Sequence, residues 1–152
     1  MSYVIKVSPY NGAGTTHIFF VNRLGAWTQS PFLTIEPISG SRNDLIHPQN
    51  WLQLAIINMD NGNSFIPHVH EDRVVISDYT RTQEAWVVLN GSVESLLYDM
   101  EGNFIIRGTL LLGDIVVTLK GGHNYIALNE STLVAEFKSG PYDPYLDKKR
   151  LQ

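Results

Sequence analysis

The chain has 152 residues, of which 43% are hydrophobic and 17% are charged, and it contains no cysteine. This composition excludes intrinsic disorder, which requires low hydrophobicity and high net charge, and it excludes disulfides and thiolate metal ligands. The formal net charge of −4 argues against a nucleic-acid partner, because nucleic-acid-binding surfaces are basic.

A membrane partner is also excluded by the sequence pattern. No apolar run approaches the about 20 residues of a spanning helix, and the N-terminus lacks the basic and apolar regions of a signal peptide. We therefore expect a cytoplasmic protein. Because so few residues are charged, we expect apolar surface that a homodimer would cover.

The first fifty residues, 1–50, are predicted to form N-terminal strands and an irregular wrap. Tyr3–Val7 and His17–Asn22 are short runs rich in β-branched and aromatic residues, which is typical of strands. The segment 9–14 between them is rich in glycine and is predicted to be a loop. The stretch 30–50 contains three prolines and is predicted to be irregular.

Residues 51–140 carry the regular pattern of a β-barrel or sandwich, with short apolar runs separated by turns. Asn90-Gly91 is the strongest hairpin signal. The remaining residues, 141–152, are predicted to form a tail of the same domain, which spans 1–152. The predicted strands of the barrel are Leu52–Asn58, Glu84–Leu89, Ser92–Tyr98, Phe104–Gly108, Ile115–Leu119, Tyr125–Leu128 and Leu133–Lys138.

The histidines supply a first indication of function. His68 and His70 are two residues apart, so on a strand both side chains project to the same face and could bind one metal ion. Taken alone, the pair is more typical of two exposed histidines at a loop-to-strand junction than of a metal site. His17 lies in an apolar strand and is predicted to be structural, whereas His47 precedes a proline and is predicted to be exposed.

The spacing around this pair resembles the two motifs of the cupin family. The first motif is matched by Gly62, His68 and His70, followed by Glu84 and, after six residues, Gly91. The second motif is matched by the segment 113–123, which ends at His123. The resemblance implies an all-β, double-stranded β-helix fold, which is a jelly-roll barrel, with an extended N-terminal segment.

The same resemblance implies a metal site. In the family, three histidines and one glutamate bind a single divalent metal inside the barrel, and here these residues would be His68, His70, Glu84 and His123. The metal would be iron, manganese, nickel, zinc or copper.

A long insertion, Glu71–Gln83, separates His70 from Glu84, where the family has a much shorter connection. We predict that this insertion covers the metal as a lid. Two alternatives to the ligand assignment stay open at this point: Glu84 could be a carboxylate on the barrel rim, and His123 could be a turn residue.

A second resemblance lies near the C-terminus. The segment Glu136–Pro144 resembles the end of small cupin metalloproteins encoded in bacterial surface-polysaccharide clusters, and the similarity extends over 52–151. Alternatively, Glu136 and Lys138 lie on the solvent face of a strand whose apolar residues, such as Phe137, face the core.

Three functions are compatible with these patterns. The first is a metal-dependent enzyme, of isomerase or lyase type, that acts on a sugar, a sugar nucleotide or another small polar metabolite. The second is an iron-dependent dioxygenase, and the third is a non-catalytic module that binds a small ligand or a metal. The candidates for substrate contact or catalysis are Tyr79, Arg81, Trp86, Arg107, Tyr125 and Lys138.

Overall fold

The computed structural model describes residues 2–7, 17–21, 33–70, 72–75, 78–145 and 147–151, and within them all regular structure is β-strand. None of the described segments forms a helix with the length and apolar character needed to cross a membrane. The strands are β1 (Tyr3–Val7), β2 (His17–Val21), β3 (Leu33–Pro37), β4 (Arg42–Asp44), β5 (Leu52–Met59), β6 (His68–His70), β7 (Asp72–Val75), β8 (Asp78–Arg81), β9 (Glu84–Asn90), β10 (Ser92–Tyr98), β11 (Phe104–Leu111), β12 (Ile115–Thr118), β13 (Gly122–Ala127), β14 (Thr132–Ser139) and β15 (Lys148–Arg150).

Two antiparallel sheets pack face to face as a jelly roll. The first sheet has the strand order β11-β10-β13-β6-β15, and the second has the order β12-β9-β14-β5-β4. The predicted all-β, double-stranded β-helix fold is therefore confirmed.

The main core lies between these two sheets. Strand β9 shows how the sequence builds it: Glu84, Trp86 and Val88 alternate with less buried residues and face the first sheet. Trp86 and Val88 pack against Val93 and Tyr125, which project from β10 and β13. This alternation places Glu84 on the same inner face as the apolar core.

The second sheet is buried on its other face as well. There, Ile56 and Ala135 pack against Val4 of β1, which belongs to a separate three-stranded sheet of order β2-β1-β3. Because both faces of β5 are covered, its sequence is nearly continuously apolar instead of alternating.

The predicted Asn90-Gly91 hairpin joins β9 and β10. Gly91 has a φ of 73°, in the left-handed region that glycine adopts without strain. A Cβ at this position would lie 2.6 Å from the Thr132 hydroxyl oxygen. Glycine is thus required here both by the turn and by the close approach of β14.

Three segments contain more regular structure than the sequence predicts. The irregular stretch 30–50 contains β3 and β4, the insertion contains the β7–β8 hairpin, and the tail contains β15. Strand β3 tolerates the proline at its end because it is an edge strand, and β15 is a run of basic residues that pairs with β6. In these strands tertiary pairing outweighs weak local propensity.

Candidate metal centre

Four buried side chains converge at one end of the space between the two main sheets: His68, His70, Glu84 and His123. Strand pairing brings His123 of β13 opposite His68 of β6 in the first sheet, while Glu84 begins β9 in the second sheet. One ligand atom from each residue lies within 4.8 Å of all the others. Each residue is at most 6% exposed. The set could hold a metal ion.

Glu84 lies at the centre of this cluster. Its Oε2 is 3.3 Å from His70 Nε2 and its Oε1 is 3.0 Å from His123 Nε2. The indole N–H of Trp86 donates a hydrogen bond of 2.8 Å to the same Oε1. Because Trp86 follows Glu84 by two residues on β9, strand geometry alone puts the donor beside the carboxylate.

Backbone carbonyls orient two of the imidazole rings. His68 Nδ1 lies 2.8 Å from the Ile66 carbonyl oxygen, and His70 Nδ1 lies 3.1 Å from that of Asp147. Since a carbonyl can only accept, each Nδ1 carries a proton in this arrangement. In the neutral His68 ring, Nε2 is therefore a lone-pair donor, whereas His70 Nε2 faces the Glu84 carboxylate and becomes a lone-pair donor when it loses its proton. Metal-bound histidines are typically oriented by such a hydrogen bond from the other ring nitrogen.

His123 provides a direct test of whether a metal fits. Its ring is 1% exposed, and within the described residues neither ring nitrogen makes a well-aligned hydrogen bond, although Nε2 lies 3.0 Å from Glu84 Oε1. Buried polar atoms without a hydrogen bond are costly and rare. A metal ion would satisfy Nε2, and three imidazoles with one carboxylate are a donor set that divalent transition metals accept.

The electrostatics of the cluster favour a charged Glu84 beside a neutral His68. Burial raises the pKa of Glu84, but the adjacent imidazoles of His123 and His70 outweigh it, so this pKa lies well below its usual range. Burial lowers the pKa of His68 to about 4, and repulsion from His123 acts in the same direction. For His70, burial is outweighed by the hydrogen bonds to Asp147 and Glu84, which raise its pKa to about 9.

A second buried polar group lies behind His70. The carboxylate of Asp147, which is 1% exposed, accepts a hydrogen bond of 3.1 Å from the Thr82 hydroxyl and forms an ion pair with Lys138. Burial opposes ionisation of Asp147, but the contacts with His70 and Lys138 hold its pKa well below the usual range. Lys138 also lies over the Tyr142 ring, with 5.2 Å from Nζ to the ring centroid.

Three residues of the cluster, His68, Glu84 and His123, form one wall of a cavity of about 370 Å³. Three of the sequence-predicted candidates line it: Trp86, Tyr125 and Lys138. Arg107 is instead exposed on β11, 3.6 Å from Glu94, and it is not among the described residues that line the cavity. The side chains of Tyr79 and Arg81, and of the rest of the insertion from 71 to 81, lie outside the described part of the chain, as does that of His17.

Strand β14 is oriented with Glu136 and Lys138 facing inward, so the alternative in which these two residues lie on the solvent face is wrong. Glu136 and Lys138 are both 7% exposed and line the cavity, whereas Phe137 is 37% exposed. The register explains this, because Glu136 lies opposite Trp86 and Lys138 lies opposite Glu84, and paired residues share a face. Leu133 and Ala135 of β14 pack outward, beneath the N-terminal sheet, whereas Val134 packs inward in the main core.

A group of polar residues at the same cavity was not predicted from the sequence. Arg42 donates to Glu136 over 2.7 Å and to Asp44 over 3.0 Å. Gln53, Tyr142 and Lys148 also line the cavity. The alternate spacing of Glu136 and Lys138 on β14 is the one sequence feature that could have predicted this polar side of the cavity. Arg42 gave no such indication, because it lies in the segment 30–50, which the sequence predicts to be irregular.

The jelly roll and the buried cluster of three histidines and one glutamate define a cupin-type protein, as the sequence resemblance predicts. No protein-family model matches the sequence, and no curated protein matches it either.

Solved structures place the fold among cupin-type proteins. KdgF from Halomonas sp. is 26% identical with a TM-score of 0.52, and the match covers 68% of this chain and 80% of KdgF. The capsular polysaccharide assembling protein CapF from Staphylococcus aureus is 19% identical with a TM-score of 0.60, over 74% of this chain and 30% of CapF. A double-stranded β-helix protein from Klebsiella pneumoniae is 17% identical with a TM-score of 0.53, over 77% and 90% of the two chains. The latter two share the fold.

Proposed function

We propose that this protein is a metal-dependent enzyme that acts on a sugar, a sugar nucleotide or another small polar metabolite. His68, His70, Glu84 and His123 would hold one divalent metal ion. The observation that carries the proposal is the convergence of four buried donor groups, three of which, His68, Glu84 and His123, line a cavity of about 370 Å³. This volume lies in the lower part of the range of small-molecule sites.

A bound metal ion would supply Lewis acidity toward a carbonyl or enolate oxygen of the ligand. The protein's own groups hold the site in place for that role. Trp86 fixes one carboxylate oxygen of Glu84, and the carbonyls of Ile66 and Asp147 fix the rings of His68 and His70. Hydrogen bonds to the side chains that hold a metal set the orientation of their ligand atoms.

The other walls of the cavity suit a polar ligand. Lys138 offers ammonium N–H donors, and its position is set by Asp147 and the Tyr142 ring. The paired Arg42 and Glu136 offer a donor and an acceptor that can bind hydroxyl groups. The aromatic rings of Trp86 and Tyr125 form an apolar surface between these polar groups.

The likeness to CapF supports a substrate related to sugars, because that protein is described as assembling a capsular polysaccharide. We extend the proposal to a cytoplasmic location, in keeping with the sequence-based expectation.

The proposal is tested by turnover of the metal-loaded protein. The protein would be incubated with a panel of hexoses, sugar acids and nucleotide sugars, and the products followed by NMR. We expect turnover by the wild type and by His47→Ala, because His47 is exposed and outside the cluster, and no turnover by His123→Ala. A wild type that neither binds nor converts any member of the panel would contradict the substrate class. Unchanged turnover by His123→Ala would contradict the metal's role.

A further inference from the structure

The C-terminal strand β15 (Lys148–Arg150) brings basic side chains to the metal centre. It pairs antiparallel with β6, so that Lys148 lies opposite His70 and Arg150 lies opposite His68. Residues that are directly paired in an antiparallel ladder project to the same face of the sheet. Lys148 and Arg150 therefore lie on the face that carries the two histidines.

A second cavity, of about 280 Å³, adjoins the cavity of the metal centre. We call it the basic pocket, and the residues that line it are Ser64, Phe65, Ile66, His68, Lys148 and Arg150. Phe65, His68 and Lys148 line both cavities. A ligand that occupies the metal-centre cavity can therefore extend past Lys148 into the basic pocket.

We propose that the basic pocket binds a phosphoryl group of a ligand whose sugar part lies at the metal centre. This inference rests on the proposed function and narrows its substrate class to phosphorylated sugars. The phosphoryl group belongs either to a sugar phosphate or to the diphosphate of a nucleotide sugar. Both present the same chemistry to Lys148 and Arg150.

In the described part of the chain, the two cations of the basic pocket lack acidic partners. No carboxylate of that part lies at ion-pair distance from the Lys148 ammonium or the Arg150 guanidinium. The other two cations of the metal-centre cavity, Arg42 and Lys138, each form an ion pair with a carboxylate. Burial lowers the pKa of Lys148, and repulsion from Lys138 acts in the same direction. A bound anion would offset both effects.

The number and spacing of these cations favour a phosphoryl group over a carboxylate. On a strand, residues two positions apart are separated by about 6.5 Å, and both side chains are long enough to converge on one anion. A phosphate monoester carries about −1.5 to −2 charges at neutral pH and has three acceptor oxygens, whereas a carboxylate carries one charge and two oxygens. Lys148 and Arg150 supply several charged N–H donors for such a group, and Ser64 adds a hydroxyl.

The test is the binding of inorganic phosphate to the metal-loaded protein, measured by isothermal titration calorimetry. The variant is Lys148→Gln, and the matched control is Lys149→Gln, because Lys149 lies opposite Val69 on the other face of the same strand. We expect the control to bind phosphate like the wild type. Lys148→Gln should bind it about 10-fold or more weakly, as loss of a hydrogen bond to a charged group does. Arg150→Gln should also weaken binding, and it replaces Lys148→Gln if that variant fails to fold.

His123→Ala separates this inference from the proposed function. His123 is not among the described residues that line the basic pocket, so phosphate binding should persist in this variant. Loss of phosphate binding in His123→Ala would assign the phosphate to the metal ion and overturn the inference. If phosphate binding depends on Lys148 but no sugar is converted, the phosphate site stands and the proposed function fails.

A second titration identifies the source of the phosphoryl group, with hexose monophosphates, UDP-hexoses, free hexoses and hexuronic acids as probes. A phosphorylated probe should bind the wild type more tightly than the free hexose and lose this advantage in Lys148→Gln. The tighter phosphorylated class identifies the source. The proposal is overturned by a wild type that binds no phosphate at millimolar concentration, or by a Lys148→Gln protein that binds it like Lys149→Gln. Hexuronic acids that depend on Lys148 as strongly as the hexose monophosphates would also overturn it, because the pocket would then select a carboxylate.

Discussion

The candidate metal centre differs from ordinary protein structure in the opposite way from the surface formed by β11, β12 and the turn between them, which we call the apolar seam (residues 104–119). The centre buries three histidines, two carboxylates and a lysine, whereas the seam exposes eight large apolar side chains. A buried polar cluster and an exposed apolar patch are the two observations that carry functional information, because both cost stability unless something compensates. We propose that each region is compensated by a component outside the folded chain: a metal ion at the centre and, as the composition leads us to expect, a second copy of the chain at the seam.

The largest effect that we predict concerns the buried ion pair behind the metal centre. Replacement of one partner, Lys138→Met, removes the ammonium group that pairs with the buried Asp147 carboxylate and should lower the free energy of unfolding by about 3–5 kcal/mol. Chemical denaturation of the metal-free protein measures this. The control is Lys120→Met at an exposed position. Equal stability of the two variants would show that the pair contributes nothing to folding.

Removal of the ligand charge should act on metal binding more than on folding. Glu84→Gln keeps the shape of the side chain but loses the charged donor, and we expect metal affinity to fall by more than about 100-fold, which is the upper range for second-shell changes. Competition with a chelator measures the affinity. Glu94→Gln, at a half-buried position of β10, is the matched control and should bind metal like the wild type. A Glu84→Gln protein with wild-type affinity would exclude this carboxylate as a ligand.

A smaller loss of affinity is predicted for the residue that holds Glu84. Trp86→Phe removes the indole N–H that donates to Glu84 Oε1 and should weaken metal binding about 10-fold. The exposed Trp51 provides the control, Trp51→Phe. No difference between the two variants would mean that this hydrogen bond does not position the carboxylate.

The smallest effect on folding is expected in the apolar seam. Val117→Thr changes an exposed side chain and should alter the free energy of unfolding by no more than about 0.5 kcal/mol. The same substitution at the fully buried Val93 places a hydroxyl in the core and should cost about 1–3 kcal/mol. A comparable loss at both positions would show that Val117 already packs within one chain.

Several features of the site could be predicted from the sequence because they depend on local spacing. His68 and His70 share a face through strand periodicity, and Asn90-Gly91 specifies the hairpin that follows β9. The ligand assignment depended on the resemblance to known cupins, since spacing alone left Glu84 and His123 open to other roles.

Other features depend on tertiary pairing and were not predictable. Asp147 reaches His70 only because β15 pairs with β6, and Arg42 reaches the cavity only because β4 joins β5. The orientation of β14 was ambiguous because the second sheet is buried on both faces, so that apolar residues occur at every parity. Composition predicted uncovered apolar surface but could not place it at β11 and β12.

The central claim is that His68, His70, Glu84 and His123 hold one metal ion, and elemental analysis of the purified protein tests it most directly. The wild type and His47→Ala should each carry one divalent metal ion per chain that a chelator removes, and His123→Ala should carry essentially none. Removal of the metal should lower the melting temperature of the first two proteins and leave that of His123→Ala unchanged. Stoichiometric metal in His123→Ala, or a wild type that takes up no metal when supplied with iron, manganese, nickel, zinc or copper, would contradict the account.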